Sequence, residues 1–141
     1  MESTPEAGSK FSARIRIGVA CLLSVVACFA YAATRSEMGN QWLQSHGGGV
    51  PYVVFWILLT GIFIPQRNRC LRISTIVVIA VCGLEFLQLW NPEPLASFRG
   101  TKFGAALLGS TFVWNDIPPY FMGGVVGGAI LWLLGKRSSF R

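Results

Sequence analysis

The sequence predicts an all-α integral membrane protein with four transmembrane helices, and three observations lead to that prediction. The 141-residue chain is 52% hydrophobic and only 13% charged, which is more apolar surface than a soluble core of this size can bury. Uncharged apolar runs of nearly spanning length recur four times. The basic residues bracket these runs and have no aromatic interleaving, so the net charge of +6 indicates membrane flanks and not a nucleic-acid partner.

The four runs define the predicted spans within one membrane domain of residues 1–141. Each is close to the roughly 20 residues that a helix needs to cross the hydrocarbon core. The predicted spans cover about residues 17–34, 47–66, 73–90 and 119–135. Residues 1–16 are predicted to form a cytoplasmic tail, and residues 91–116 form the predicted outer loop between the third and fourth spans.

The basic residues predict the orientation. One side of a four-span arrangement carries most of them: Lys10, Arg14, Arg16, Arg67, Arg69, Arg72, Lys136, Arg137 and Arg141. Only Arg35, Arg99 and Lys102 fall on the other side. Because lysine and arginine are enriched in cytoplasmic loops, we expect both termini to face the cytoplasm.

The first apolar run has a second interpretation, as a secretory signal peptide. Basic residues precede it, and Ala30-Tyr31-Ala32 fits the A-x-A pattern of a cleavage site. Cleavage would leave three spans in the same orientation. A permanent anchor is favoured because the run is long enough to cross the membrane and further spans follow it.

The predicted outer loop contains an uncharged, largely apolar segment at residues 103–115. It is too short to cross the bilayer, and a fifth span would carry the C-terminal basic residues outside. We therefore expect an interfacial or re-entrant segment, with Gly104 and Gly109 providing backbone freedom and Trp114 at headgroup level.

Glu85 is the residue that most requires a functional explanation, since it lies inside the third span. A carboxylate there costs about 2.5–3.5 kcal/mol and marks a functional site by default; the alternative is that it reaches headgroup water from near the helix end. Gln88 is three residues further on and shares its helix face. Arg99 and Lys102 follow on the same predicted side, where they can pair with a carboxylate or contact lipid phosphates.

Asp116 precedes the fourth span and is a candidate both for helix capping and for the site. As an N-cap it would bond the N–H of the second or third helical residue, but Pro118 and Pro119 have none. The sequence therefore predicts that the helix begins at Pro119 and leaves the carboxylate available. Tyr120 lies one turn further along.

The fourth span also contains two overlapping small-xxx-small patterns, Gly123 to Gly127 and Gly124 to Gly128. They predict a helix-packing face that brings Asp116 and Tyr120 close to Glu85. His46, the only histidine, falls in a glycine-rich stretch and is predicted to be a loop residue. The cysteines form no CxxC pair, so neither a metal site nor a cofactor site is predicted.

Several of these positions together resemble a known family pattern: Glu85-Phe-Leu-Gln88, Phe98-Arg99-Gly-Thr, Gly104, Leu108-Gly109, Phe112, Asp116, Tyr120, Gly123 and Gly127. Over about residues 84–128 the chain resembles the small bacterial membrane family catalogued as domain of unknown function 2809 (DUF2809), which is similar to the broader VanZ-like group. The resemblance implies a four-helix, multi-pass protein of the bacterial cytoplasmic (inner) membrane, linked to the cell envelope. It implies no reaction. The prolines after Asp116 depart from the family pattern.

The functional prediction is a binding protein. Glu85, Gln88, Arg99, Lys102, Asp116 and Tyr120 are expected to line an outward-facing polar pocket. Its partner would be an anionic membrane-lipid headgroup or a lipid-linked envelope precursor. Two alternatives stay open: an enzyme that uses Glu85 or Asp116 as acid or base on a lipid-linked substrate, and a structural subunit whose glycine faces dock another membrane protein.

Overall fold

The computed structural model describes residues 5–89, 92–101, 104 and 114–135. In these residues the chain is helical apart from short connections, and no β-strand occurs among them. The helices are α1 (Pro5–Thr34), α2 (Gln41–His46), α3 (Gly49–Phe63), α4 (Cys70–Leu89), α5 (Glu93–Arg99) and α6 (Ile117–Leu134). Short 3-10 turns at Arg35–Glu37, Arg67–Arg69 and Trp114–Asp116 precede α2, α4 and α6.

Four stretches of helix are long and apolar enough to cross a membrane, as the sequence predicts. They are Lys10–Glu37, Gln41–Phe63, Arg67–Leu87 and Trp114–Leu134. Helices α1, α3, α4 and α6 form the main part of each. The chain is therefore a multi-pass membrane protein built almost entirely of α-helix.

Two helix boundaries differ from the predicted spans. Helix α1 begins at Pro5, well before residue 17, because lysine and arginine are good helix formers and hydropathy marks membrane thickness, not helix length. Helix α6 begins at Ile117, two residues before Pro119, because proline is tolerated in the first turn, where N–H groups have no partner within the helix. Helix α4 is described as far as Leu89.

Helix α3 lies at the centre of the bundle. It packs on α1 and on α6, and α4 packs mainly on α6 and less extensively on α3. The largest fully buried side chains come from α1, α3 and α6: Ile17, Val53, Ile57, Leu58, Pro119 and Leu131. Large apolar side chains such as Leu22, Ile79 and Val125 are more than 60% exposed on the outside, which is the surface expected where lipid is the solvent.

The two ends of the bundle differ in the charged residues that the packed helices carry. The end of α4 that carries Glu85 lies beside the start of α6, and we call this the acidic end; Glu37, Glu93 and Asp116 also lie toward it. At the opposite, basic end, the Arg67 guanidinium lies 3.2 Å from the centroid of the Trp132 ring. That the basic end faces the cytoplasm stays a prediction from the distribution of lysine and arginine.

Candidate functional site

Glu85 lies inside the bundle and does not extend to the helix end. Its side chain is only 6% exposed, and the hydroxyl of Tyr120 donates a hydrogen bond to its Oε1. Tyr120 is itself 8% exposed. The contact joins α4 to α6 at the level where the sequence predicted the two would approach. The carboxylate is thus held by a neighbouring helix, which is the arrangement expected of an ionisable group in a membrane span.

The glycine at the start of α3 makes room for Tyr120. A Cβ added to Gly49 would lie 3.0 Å from Tyr120 Cε1 and 3.0 Å from Pro119 Cβ. Such contacts are tighter than nearly all real ones, so a side chain at Gly49 would push the first turn of α6 away. Gly49, the first residue of α3, therefore leaves the space that the ring of Tyr120 occupies.

Asp116 forms the second polar contact, with a residue that the sequence had not assigned to the site. Its Oδ1 lies 2.5 Å from Nδ1 of His46, and the two side chains are 23% and 12% exposed. An ionised carboxylate can only accept, so Nδ1–H donates. The prediction that His46 is a loop residue was wrong: it is the last residue of α2.

Helix α2 explains how His46 reaches Asp116. The Asn40 side chain caps the helix by accepting from the backbone N–H of Trp42 at 2.9 Å and of Leu43 at 3.3 Å. The Tyr31 hydroxyl lies 2.7 Å from the Leu43 carbonyl oxygen and thus ties α2 to the end of α1. The cap residue Asn40 was the only local sign that this stretch is helical; the contact over 70 residues had none.

The two polar contacts are adjacent on α6. Asp116 and Tyr120 are four residues apart, so they lie one above the other on one helix face. Asp116 occupies the N-cap position and makes no capping hydrogen bond with its side chain, as the following prolines predicted. We call His46, Asp116, Tyr120 and Glu85 the acidic-end cluster. The cluster extends from His46 and Asp116, which form its partly exposed rim, to the buried carboxylate of Glu85.

Three other predicted site residues are only partly placed or not placed. Gln88 lies in α4 and Arg99 is the last residue of α5, but their side chains are outside the described part of the chain. Lys102 lies outside the described residues, as does most of the predicted interfacial segment 103–115. Trp114, at its end, packs edge-to-face on Phe86 with ring centroids 6.1 Å apart.

The four glycines of α6 form two faces within this chain. A Cβ on Gly123 would lie 2.8 Å from the Val50 carbonyl oxygen of α3, and Gly127 likewise faces α3. A Cβ on Gly124 would lie 2.5 Å from Val78 of α4, and Gly128 likewise faces α4. Both faces therefore pack within this chain, as the small-xxx-small patterns predict.

Within the described ranges, no three His, Cys, Asp or Glu side chains come together as a metal site requires. The cluster supplies two carboxylates, a phenol and an imidazole. These groups accept hydrogen bonds from hydroxyl or amine groups and can exchange protons. Chemically, the arrangement suits recognition of a polar group or acid–base catalysis.

The family comparison agrees with the pattern in the C-terminal half. A family model described as "Protein of unknown function (DUF2809)" matches residues 38–124, well over half of the chain, and every member of the acidic-end cluster lies inside that match. No solved structure matches the chain. The chain belongs to the DUF2809 family.

Proposed function

We propose that this member of the DUF2809 family binds a cell-envelope component, a lipid-linked precursor or lipid headgroup, at the acidic-end cluster. The observation that supports the proposal is the Glu85 carboxylate, which is 6% exposed between apolar helices and bonded by Tyr120. A charge at that position costs about 2.5–3.5 kcal/mol of insertion free energy. Packing alone gives no reason to retain it, because apolar residues fill such positions at lower cost.

The composition of the cluster favours a particular kind of ligand. Its carboxylates accept hydrogen bonds from the hydroxyl or amine groups of a sugar or amino headgroup. Arg99, the last residue of α5, is predicted from the sequence to be on the same side of the membrane, and a guanidinium there would suit a phosphate. A lipid-linked precursor offers both kinds of group and an apolar chain that remains in the bilayer. The ligand would enter at the rim formed by His46 and Asp116.

Lipid mass spectrometry of the protein in native nanodiscs tests this proposal. The wild type should retain a lipid-linked species above its level in the surrounding membrane, and Glu85→Gln and Asp116→Asn should lose it. Glu93→Gln is the matched control, because Glu93 is an exposed acid at the same end. The proposal fails if no lipid is enriched, or if both cluster variants retain it as the control does.

One observation favours an enzyme as the second candidate. The Asp116 contact engages Nδ1 of His46 and directs Nε2 to the opposite side of the ring, which is how a carboxylate orients a catalytic imidazole. Under this alternative, purified protein converts a membrane extract of lipid-linked precursors to a new product. His46→Gln should then abolish product formation while the precursor still binds. If the wild type forms no product, the enzyme alternative is refuted and the binding role remains.

A further inference from the structure

A long groove runs between α4 and α6 on the outside of the bundle, from Arg67 and Trp132 at the basic end to Phe86 and Phe121 near the acidic end. It has a volume of about 1040 Å³, at the upper end of the roughly 300–1,000 Å³ typical of ligand sites. Its floor consists of small residues, among them Ser74, Gly124 and Gly128, and its walls are apolar. Such a channel suits a flexible hydrocarbon chain.

The basic end of this groove differs from the rest of its length. Arg67 and Asn68 line it there, beside Trp132. The Arg67 guanidinium lies over the Trp132 ring, 3.2 Å from the centroid, and this cation–π contact holds the charge at the mouth of the groove. Among the described residues, no carboxylate lies within ion-pair distance of Arg67.

The surrounding charge decides between a lipid and a second protein copy as the occupant. Arg69 and Arg72 are exposed close to the same mouth. Two copies packed through this groove would bring their arginines together, and like charges across an interface are costly. An anionic phospholipid is complementary instead, because basic pockets between helices on the cytoplasmic side bind phosphate headgroups and the acyl chain fits the apolar walls.

We propose that the basic half of the α4–α6 groove is a binding site for an anionic phospholipid, with its phosphate on Arg67 and an acyl chain along Leu71, Val78 and Val125. This site lies at the opposite end of the bundle from the acidic-end cluster and is independent of it. The lipid would enter from the leaflet that contacts the basic end.

Native mass spectrometry of the full chain, released from nanodiscs of equal phosphatidylglycerol and phosphatidylcholine, tests the headgroup contact. Phosphatidylglycerol should be retained preferentially by the wild type, and Arg67→Gln should lower that preference about fivefold, the effect of one basic residue near an anionic surface. Arg14→Gln, which removes an exposed arginine from α1 at the same end, should leave it unchanged. An equal loss in both variants would mean diffuse attraction and overturn the site.

A second pair of variants tests the groove itself. Ala129→Trp places a bulky side chain in the groove from an exposed position and should displace the lipid whatever its headgroup. The control is Leu133→Trp, because Leu133 lies on α6 outside the groove and is 67% exposed; this variant should keep the lipid. Val125→Trp replaces Ala129→Trp if the latter does not fold. The proposal is refuted if the folded groove variant retains the lipid. It is also refuted if the wild type is a lipid-free dimer that the groove variant disrupts.

Discussion

Substituting Gly123 by alanine tests the packing of the bundle. A Cβ at this position would lie 2.8 Å from the Val50 carbonyl oxygen and 2.8 Å from Val53 Cβ, whereas ordinary contacts begin at 3.4 Å. Both atoms are fixed to the α3 backbone, so no side-chain rotation can relieve the clash. Helices α3 and α6 would therefore have to separate by about 0.6 Å, since packed interiors leave no slack.

The matched control is Gly83→Ala in α4, where a Cβ would meet nothing within 4 Å. Both substitutions gain the same helix propensity, up to about 1 kcal/mol, so the difference between them isolates the clash. We expect Gly123→Ala to be less stable than Gly83→Ala by about 1–3 kcal/mol, the usual cost of overpacking. Reversible unfolding in mixed micelles with increasing SDS, followed by tryptophan fluorescence, measures both. Equal stabilities would show that α3 and α6 do not approach as described.

Three further predictions use the same protein. Tyr120→Phe should lower the free energy of unfolding in the micelle assay by about 1–2 kcal/mol, because the Glu85 carboxylate loses a hydrogen bond inside the membrane; an unchanged value would refute that bond. Asn40→Ala should weaken α2 by about 1 kcal/mol, seen as faster hydrogen exchange of the first amides of α2 and not of α4. Tyr31→Phe should accelerate exchange throughout α2 with a cost of about 0.5–1.5 kcal/mol, and slow exchange as in the wild type would count against the tie to Leu43.

The spans could be predicted because span length and hydropathy depend on the bilayer and need no knowledge of tertiary contacts. Four runs bracketed by charges were enough to give the four helices of the bundle. The ends of the helices were harder to predict than the spans. Lys10 and Arg14 lie outside the apolar run, but no residue there breaks a helix, so α1 begins as early as Pro5. The two prolines after Asp116 suggested a later start for α6, because a proline disfavours the helical conformation in the residue before it. Proline is nevertheless well tolerated in the first turn of a helix, and this second effect decides the start of α6.

The contact between Glu85 and Tyr120 was predictable, because a carboxylate inside a span is costly and therefore conspicuous. Glu85 inside an apolar run required a partner, and the glycines of the last span indicated which helix would supply Tyr120. His46 had no such signal, since a histidine near a predicted membrane boundary costs nothing by itself. Its role depends on the Asn40 cap, the Tyr31 tie and the start of α6 coming together, and those contacts exist only in the folded chain.

The position of α1 at the edge of the bundle has a consequence for the order of membrane insertion. Helix α1 packs mainly on α3, which follows it in the chain. Helix α1 would therefore be surrounded by lipid until α3 has been inserted and can pack against it. It can do so at little cost, because the Ser24 hydroxyl donates to the Cys21 carbonyl oxygen of its own helix at 2.7 Å. Helix α4 is different: the hydroxyl that bonds its Glu85 belongs to α6. An assembly intermediate that lacks α6 would thus lack the Tyr120 hydrogen bond to this carboxylate, so the polar contact inside the membrane forms only when the last helix docks.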